Sequence, residues 1–247
     1  MKIALLGYGK MGQMIEGFAL ERGHEIVLKT HRGQAEVLNS QMLQSADIAI
    51  DFSAPDAVLR HIYACFEAKL PLVVGTTGWY GSLQQVKNDC LNSNNTLLYG
   101  SNFSIGVNLF FHVNKVLAKL MNPYPAYEVQ MEEIHHTQKL DAPSGTAMTL
   151  AEDIVAALDR KQEWVNVLMG GATPEAVKPE QLLIESYRIE NVPGTHTVLY
   201  SSEVDAIEIK HTAHTRAGFA LGAVVAAEWL HGKKGFYSVA DVFKFEE

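Results

Sequence analysis

The feature that most constrains this chain is Gly7-Tyr8-Gly9-Lys10-Met11-Gly12, a G-x-G-x-x-G run a few residues from its start. It follows an apolar run, Lys2–Leu6, that reads as a strand. It precedes an amphipathic stretch, Met11–Glu21, that reads as a helix closed by Gly23. In that setting the first glycine permits a tight turn, the second lets backbone approach a pyrophosphate, and the third lets helix and strand pack closely. The helix start adds free N–H groups and the positive end of a dipole. All six residues are expected to serve a dinucleotide.

The pattern continues as short apolar runs alternating with amphipathic stretches, which is how a parallel sheet covered by helices reads. His24–Lys29, Asp47–Phe52, Pro71–Val74 and Thr96–Tyr99 are the expected strands, and Ser82–Leu91 is an expected helix. Open α/β sheets bind ligands at the carboxyl ends of their strands. Two loops there, Gly75-Thr76-Thr77-Gly78 and Ser101-Asn102-Phe103-Ser104, offer small and hydroxyl residues to a nicotinamide carboxamide. The end of the second strand carries no acid to hold the ribose diol of NAD. It reads Lys29-Thr30-His31-Arg32, and the cations Lys29 and Arg32 suit a 2′-phosphate, so NADPH is expected to serve at least as well as NADH.

Beyond about residue 105 the rhythm changes. Val107–Met121 reads as one long helix stopped by Asn122-Pro123-Tyr124-Pro125, and Tyr127–Ile134 alternates in strand fashion. A loop, His135–Ser144, leads into a helix from about Thr146 to Leu158. Leu182–Ile189, Thr195–Ser201 and Ala206–His211 read as antiparallel strands, and Ala217–Leu230 as an apolar helix. Strands and helices alternate first and segregate later. The expected fold is therefore α/β, a Rossmann dinucleotide-binding domain plus an α+β mixed-sheet domain for substrate and oligomerisation. The boundaries drawn are 1–104 with 217–247 for the first and 105–216 for the second.

Composition removes whole classes of function. A formal net charge of −8 argues against nucleic acid or anionic membrane as the partner, since both need a basic surface. No apolar run approaches the ~20 residues that cross a bilayer. Two cysteines, Cys65 and Cys90, make no disulfide framework, which points to a reducing cytoplasm.

The chemistry concentrates in Glu133-Ile134-His135-His136-Thr137-Gln138-Lys139-Leu140-Asp141-Ala142-Pro143-Ser144-Gly145-Thr146-Ala147. A histidine can give and take protons near neutral pH, and a lysine serves as a point charge for a carboxylate. Backbone N–H groups near Gly145 and Thr146, with the Thr146 hydroxyl, can grip a second carboxylate. The set suits a small rigid dicarboxylate. No metal is expected, because the side chains of adjacent histidines on a strand diverge and no cysteine or H-E-x-x-H pattern accompanies them.

This segment resembles the signature of dihydrodipicolinate reductases, E-x-H-H-x-x-K-x-D-A-P-S-G-T-A, and matches every fixed position. Gly7–Gly12, the Gly-Thr-Thr-Gly loop, the Asn-Phe-Ser loop and the His211–Phe219 region follow in the family's order. The resemblance implies NAD(P)H-dependent reduction of 4-hydroxy-tetrahydrodipicolinate, with loss of water, to tetrahydrodipicolinate on the route to diaminopimelate and lysine. It implies His135 as the acid/base group and Lys139 as a second proton-donating or charge-stabilising residue. His136, Gly145 and Thr146 would hold the substrate carboxylates. It further implies a homotetramer assembled through the mixed sheet, with the last helix returning to the first domain. Two departures stand out: the chain is shorter than many members, and the ribose-binding carboxylate is missing.

Three rival readings share parts of this pattern. An aldehyde dehydrogenase working through a thiohemiacetal needs a cysteine beside the nicotinamide, whereas Cys65 and Cys90 fall in helix-like stretches. An aspartate-type amino-acid dehydrogenase shares the first hundred residues without needing the His-His-x-x-Lys segment. A nucleotide-sensing module has no reason to cluster proton donors.

Overall fold

A computed structural model describes residues 1–31, 33, 38–170 and 177–244. Its elements in chain order are β1 (Lys2–Leu6), α1 (Lys10–Glu21), β2 (Glu25–Thr30), α2 (Ser40–Leu43), β3 (Ile48–Asp51), α3 (Val58–Glu67), β4 (Leu72–Val74) and α4 (Leu83–Asn92). They continue with β5 (Thr96–Tyr99), α5 (Ile105–Met121), β6 (Glu128–His135), α6 (Gly145–Ala157), β7 (Glu163–Leu168) and β8 (Gln181–Arg188). The last are β9 (Gly194–Ser201), β10 (Ala206–Ala213), α7 (Ala217–Leu230), β11 (Gly235–Ser238) and α8 (Val239–Val242). No described helix is long and apolar enough to cross a membrane.

The chain divides into two compact units, Met1–Ile105 with Arg216–Glu247 and Gly106–Thr215. In the first, described strands form a parallel sheet in the order β11-β5-β4-β3-β1-β2. Its central strands are apolar on both faces: Ile48, Ala49 and Ile50 of β3 and Leu72, Val73 and Val74 of β4 are all buried. That is the pattern of a sheet covered on each side. One face packs against α1 and α7, with Ile15, Ala19, Val224 and Leu230 in its core. The other packs against α3 and α4, with Ile62, Cys65, Val86 and Cys90. Helix α7 is apolar apart from Glu228 and buries Ala220, Ala223, Val224, Ala226, Ala227 and Leu230. At Gly222 an added Cβ would meet the Phe103 carbonyl oxygen at 1.7 Å, so only glycine allows this approach. Arg22 and His24 bond Glu228 at 2.7–2.8 Å and tie the end of α1 to α7.

In the second unit, described strands run β10-β9-β6-β8-β7. Here the antiparallel expectation needs correction. β8 does not pair with β9: it lies between β6 and β7 and is parallel to both, while β9 is antiparallel to β6 and β10. Strand direction depends on which neighbour is chosen, and the run of residues within β8 does not encode that choice. β7 and β11 went unanticipated. One face of this sheet, with Val129, Met131, Leu182, Ile184, Val198 and Tyr200, packs against α5 and α6 through Phe110, Ala118, Leu150 and Ile154.

Candidate functional site

In the first unit the turn between β1 and α1 is built as its glycines demand. Gly7 has φ +98°, and a Cβ there would lie 2.4 Å from the Phe52 carbonyl oxygen. A Cβ on Gly12 would lie 2.5 Å from the Gly7 carbonyl oxygen, whereas one on Gly9 would meet only open space. Gly9 is thus the glycine that leaves room for a ligand. The loop is pinned from β2, where Gly7 N–H donates to Thr30 Oγ1 at 3.0 Å and Tyr8 N–H to the Thr30 carbonyl at 2.7 Å.

Gly7, Tyr8, Gly9, Thr30 and His31 line a cavity of about 900 Å³. Residues that sequence reasoning did not single out, Ser53, Asp56, Arg60 and His61, line it too. A smaller cavity of about 230 Å³ collects Met11, Gly75, Thr76 and Thr77 and shares Phe52 and Ser53 with the first. Two shape-linked cavities on the glycine turn fit a dinucleotide. Between them sits an unanticipated hub. Asp51, fully buried at the end of β3, accepts from Ser53 Oγ at 2.8 Å, from the Thr76 hydroxyl and from His61 Nδ1. This hub joins the loop after β3 to the loop after β4.

Other expected cofactor residues lie elsewhere. Lys10 starts α1 and Gly12 is packed against Gly7. Phe103 is a core residue, 1% exposed, against Phe52, so its side chain is spent on packing. Asn102 Oδ1 accepts from Ser104 N–H at 2.9 Å and shapes its own loop, and Ser101 is exposed. Lys29 is not an unengaged cation. Its ammonium pairs with Glu16 at 2.6 Å and lies over the Tyr8 ring, whose hydroxyl also contacts Glu16. Hydrogen bonds from Lys29 and Tyr8 lower the Glu16 carboxyl from its usual range. His31 meets the Tyr8 ring edge-on, with centroids 5.5 Å apart. Arg32 lies outside the described residues.

Cys65 and Cys90 are buried, and burial pushes both thiols up, Cys90 to about 11. Neither suits a thiohemiacetal nucleophile.

The second unit brings together the titratable residues of the His135–Lys139 segment. His135 is the last residue of β6 and not the first of a loop. The strand's two-residue period puts it on the same buried face as Glu133. Glu133, with no exposed surface, presents one carboxylate oxygen to His135 Nδ1 and accepts Arg188 Nη1 at 2.8 Å on the other. Arg188 stands opposite His135 on β8, and His196 stands opposite Glu133 on β9. The His135 and His196 rings meet with centroids 5.1 Å apart. Burial, and then the charge of His135, drive His196 down to about 3, so it stays neutral.

Ser144 caps α6. Its Oγ accepts Ala147 N–H at 3.2 Å and donates to the neutral His196 Nε2 at 2.9 Å. An added Cβ at Gly145 would meet nothing, so the helix start with Thr146 stands open. Lys139 pairs with Asp141 at 2.7 Å, and Arg188 donates to the Lys139 and Asp141 carbonyls at 3.3 and 2.7 Å. His136 is partly buried, with no hydrogen-bond partner at Nδ1. Glu133, His135 and His196 bring ligand-type atoms within 4.8 Å of one another. Their other contacts are Arg188 on Glu133 and Ser144 on His196.

Comparison with known proteins identifies the family. Residues 1–103 match the description "Dihydrodipicolinate reductase, N-terminus" and residues 106–243 match "Dihydrodipicolinate reductase, C-terminus". The chain is 45% identical over 243 residues to the 4-hydroxy-tetrahydrodipicolinate reductase of Christiangramia forsetii, covering 98% of this chain and 97% of that one. It is 34% identical to the enzyme of that name from Neisseria meningitidis serogroup B, over 92% and 83% of the two chains. The dipicolinate-bound dihydrodipicolinate reductase of Paenisporosarcina sp. TG-14 superposes with a TM-score of 0.75 at 25% identity, over 98% of both chains. An amine dehydrogenase from Mycobacterium smegmatis, at 11% identity and a TM-score of 0.60, shares the fold alone. With a glycine turn at the start of its first unit and matches along nearly the whole length, the chain belongs to the dihydrodipicolinate reductase family, oxidoreductases that work with a pyridine nucleotide.

Proposed function

We propose that this chain reduces 4-hydroxy-tetrahydrodipicolinate to tetrahydrodipicolinate, with His135 as the proton donor and Lys139, His136, Gly145 and Thr146 as the holders of the substrate carboxylates. One observation carries the reading: Arg188 ties the Glu133–His135 pair to the loop of Lys139 that runs into the open start of α6. When bound, the reduced nicotinamide supplies a hydride to the electron-poor ring carbon. The residues of the second unit do the rest. Lys139 exchanges Asp141 for a substrate carboxylate, and the N–H groups of Gly145 and Thr146 take the other. His135 delivers a proton to the ring carbon made basic by hydride addition. Water leaves the 4-hydroxy substrate before the hydride arrives, which creates the conjugated electron-poor ring carbon, and the balance is substrate, NAD(P)H and one proton giving product, NAD(P)⁺ and water.

NADPH serves at least as well as NADH on this reading, supported by the cations of the run Lys29-Thr30-His31-Arg32, which itself contains no acid, with Lys29 held by Glu16 until a phosphate displaces it. A homotetramer in the cytoplasm follows the resemblance. It is supported by the sheet face of Gln130, Glu132, Leu183 and Leu199, opposite the helices, and light scattering tests it. An aspartate-type dehydrogenase gives no use to the His135–Lys139 segment.

The activity test mixes protein, freshly generated substrate and NADPH or NADH, and follows loss of reduced-nicotinamide absorbance. Loss requires both partners. His135→Ala lowers kcat by about 10²–10⁴-fold, far more than it raises KM, and Lys139→Ala damages both. A His135→Ala enzyme with nearly intact kcat overturns the assignment.

A further inference from the structure

We propose that Glu133 is a positioning residue for this reduction, its buried carboxylate meeting His135 Nδ1 so that the imidazole is aimed as a proton donor through Nε2. The proposal rests on the reading of His135 above.

A carboxylate with no exposed surface is costly unless it is paired. Glu133 is paired twice, by His135 and by Arg188. Burial alone would push its carboxyl up, but bonds from His135, Arg188 and Ser186 outweigh that and hold it at about 2. It therefore stays ionised and does not itself take the proton. With Nδ1 against the Glu133 carboxylate, the proton that leaves His135 departs on this reading from Nε2, the nitrogen beside Gly194, where an added Cβ would stand 3.0 Å away.

The other groups around the imidazole do not supply this charge. His196 on β9 is neutral, its Nε2 taken by Ser144. His211 on β10 is pushed toward its neutral form by burial. Lys139, in the loop before α6, is a cation paired to Asp141, and Arg188 on β8 is the cation that fixes Glu133 from behind. A carboxylate in contact favours the imidazolium, so its removal lowers the pH above which the donor is lost.

The test compares wild type, E133Q, E133D and H135Q across about pH 5–9. E133Q keeps the shape and loses the charge. The expected result is KM within about twofold and kcat at least about tenfold lower on the alkaline side. The alkaline limb of the kcat profile should move down by about one pH unit, and E133D should recover part of it. Should E133Q not fold, the E133Q/R188M double variant removes both buried charges and the same limb is read. A limb that stays at its wild-type position while KM and kcat worsen together overturns the proposal and leaves Glu133 a purely structural residue. H135Q separates the two ideas. If it keeps kcat, the reading of His135 fails. If it is inactive while E133Q shows the wild-type limb, only the present proposal falls.

Discussion

Replacing Thr76 by valine keeps the side chain's shape and removes one hydroxyl from the cofactor unit. That hydroxyl has two uses: it donates to the buried Asp51 carboxylate and accepts Ser53 N–H at 2.7 Å. Thr76 is 6% exposed and Asp51 is fully buried, so water cannot readily substitute. A hydrogen bond to a charged group is worth about 1.5–3 kcal/mol and a neutral one about 0.5–1.5 kcal/mol. Asp51 keeps Ser53 Oγ and His61 as donors, and Ser53 N–H keeps a longer contact of 3.1 Å to Asp51. The net cost is therefore expected at about 2 kcal/mol, below the simple sum. Urea denaturation at neutral pH reads it as a lower midpoint with unchanged slope. Because Ser53 and Thr76 line the smaller cavity beside the glycine turn, the cofactor KM should rise about fivefold, roughly 1 kcal/mol. Thr77→Val is the control: Thr77 is exposed, and its stability should change by less than about 0.5 kcal/mol. A Thr76→Val protein within about 0.5 kcal/mol of wild type and with normal cofactor KM would refute the hub's role.

Three further outcomes are expected. Glu16→Gln releases Lys29 from its ion pair. Steady-state kinetics should then show the NADPH KM falling about two- to fivefold with NADH unchanged, a small effect because solvent screens an exposed pair; an unaltered NADPH/NADH ratio rules Lys29 out as a phosphate ligand. Gly194→Ala places a methyl 3.0 Å from His135 Nε2, and kcat should drop about tenfold while the thermal midpoint barely moves. Unchanged turnover would mean the imidazole needs no such clearance. His196 is neutral in the folded protein, its value lowered to about 3 by burial and by His135, against about 6.5 unfolded. The unfolded state therefore binds the extra proton first. The stability from neutral His196 is present above about pH 6.5 and is lost as pH falls toward 3. His196→Gln should flatten the stability curve in that window, and parallel wild-type and variant curves would contradict the assignment.

Much of the site was legible because its parts are local. The glycine turn between a strand and a helix needs only residues 2–21, and its glycines sit where φ and close contact require them. The alternation of Tyr127–Ile134 marks the strand that carries Glu133, although it stops one residue short of His135, and Ser144 is a capping residue before a helix. What stayed hidden involves partners far along the chain. Lys29 reads as a phosphate-binding cation until Glu16 is seen beside it. Arg188 and His196 lie in strands with no motif around them, and they reach the cluster through the register of β8 and β9 against β6. Asp51, His61 and Thr76 come from three separate segments.

The sequence by itself determined the nucleotide turn, the two-part α/β then α+β order and the family. Each depends on spacing within a few turns of backbone, where periodicity and capping rules act. Tertiary structure alone decided that β8 runs parallel to β6 and that Lys29 is paired. It also set a buried carboxylate and a guanidinium behind His135. Strand order and register create those contacts, and they depend on how distant segments pack, which no local run of residues encodes.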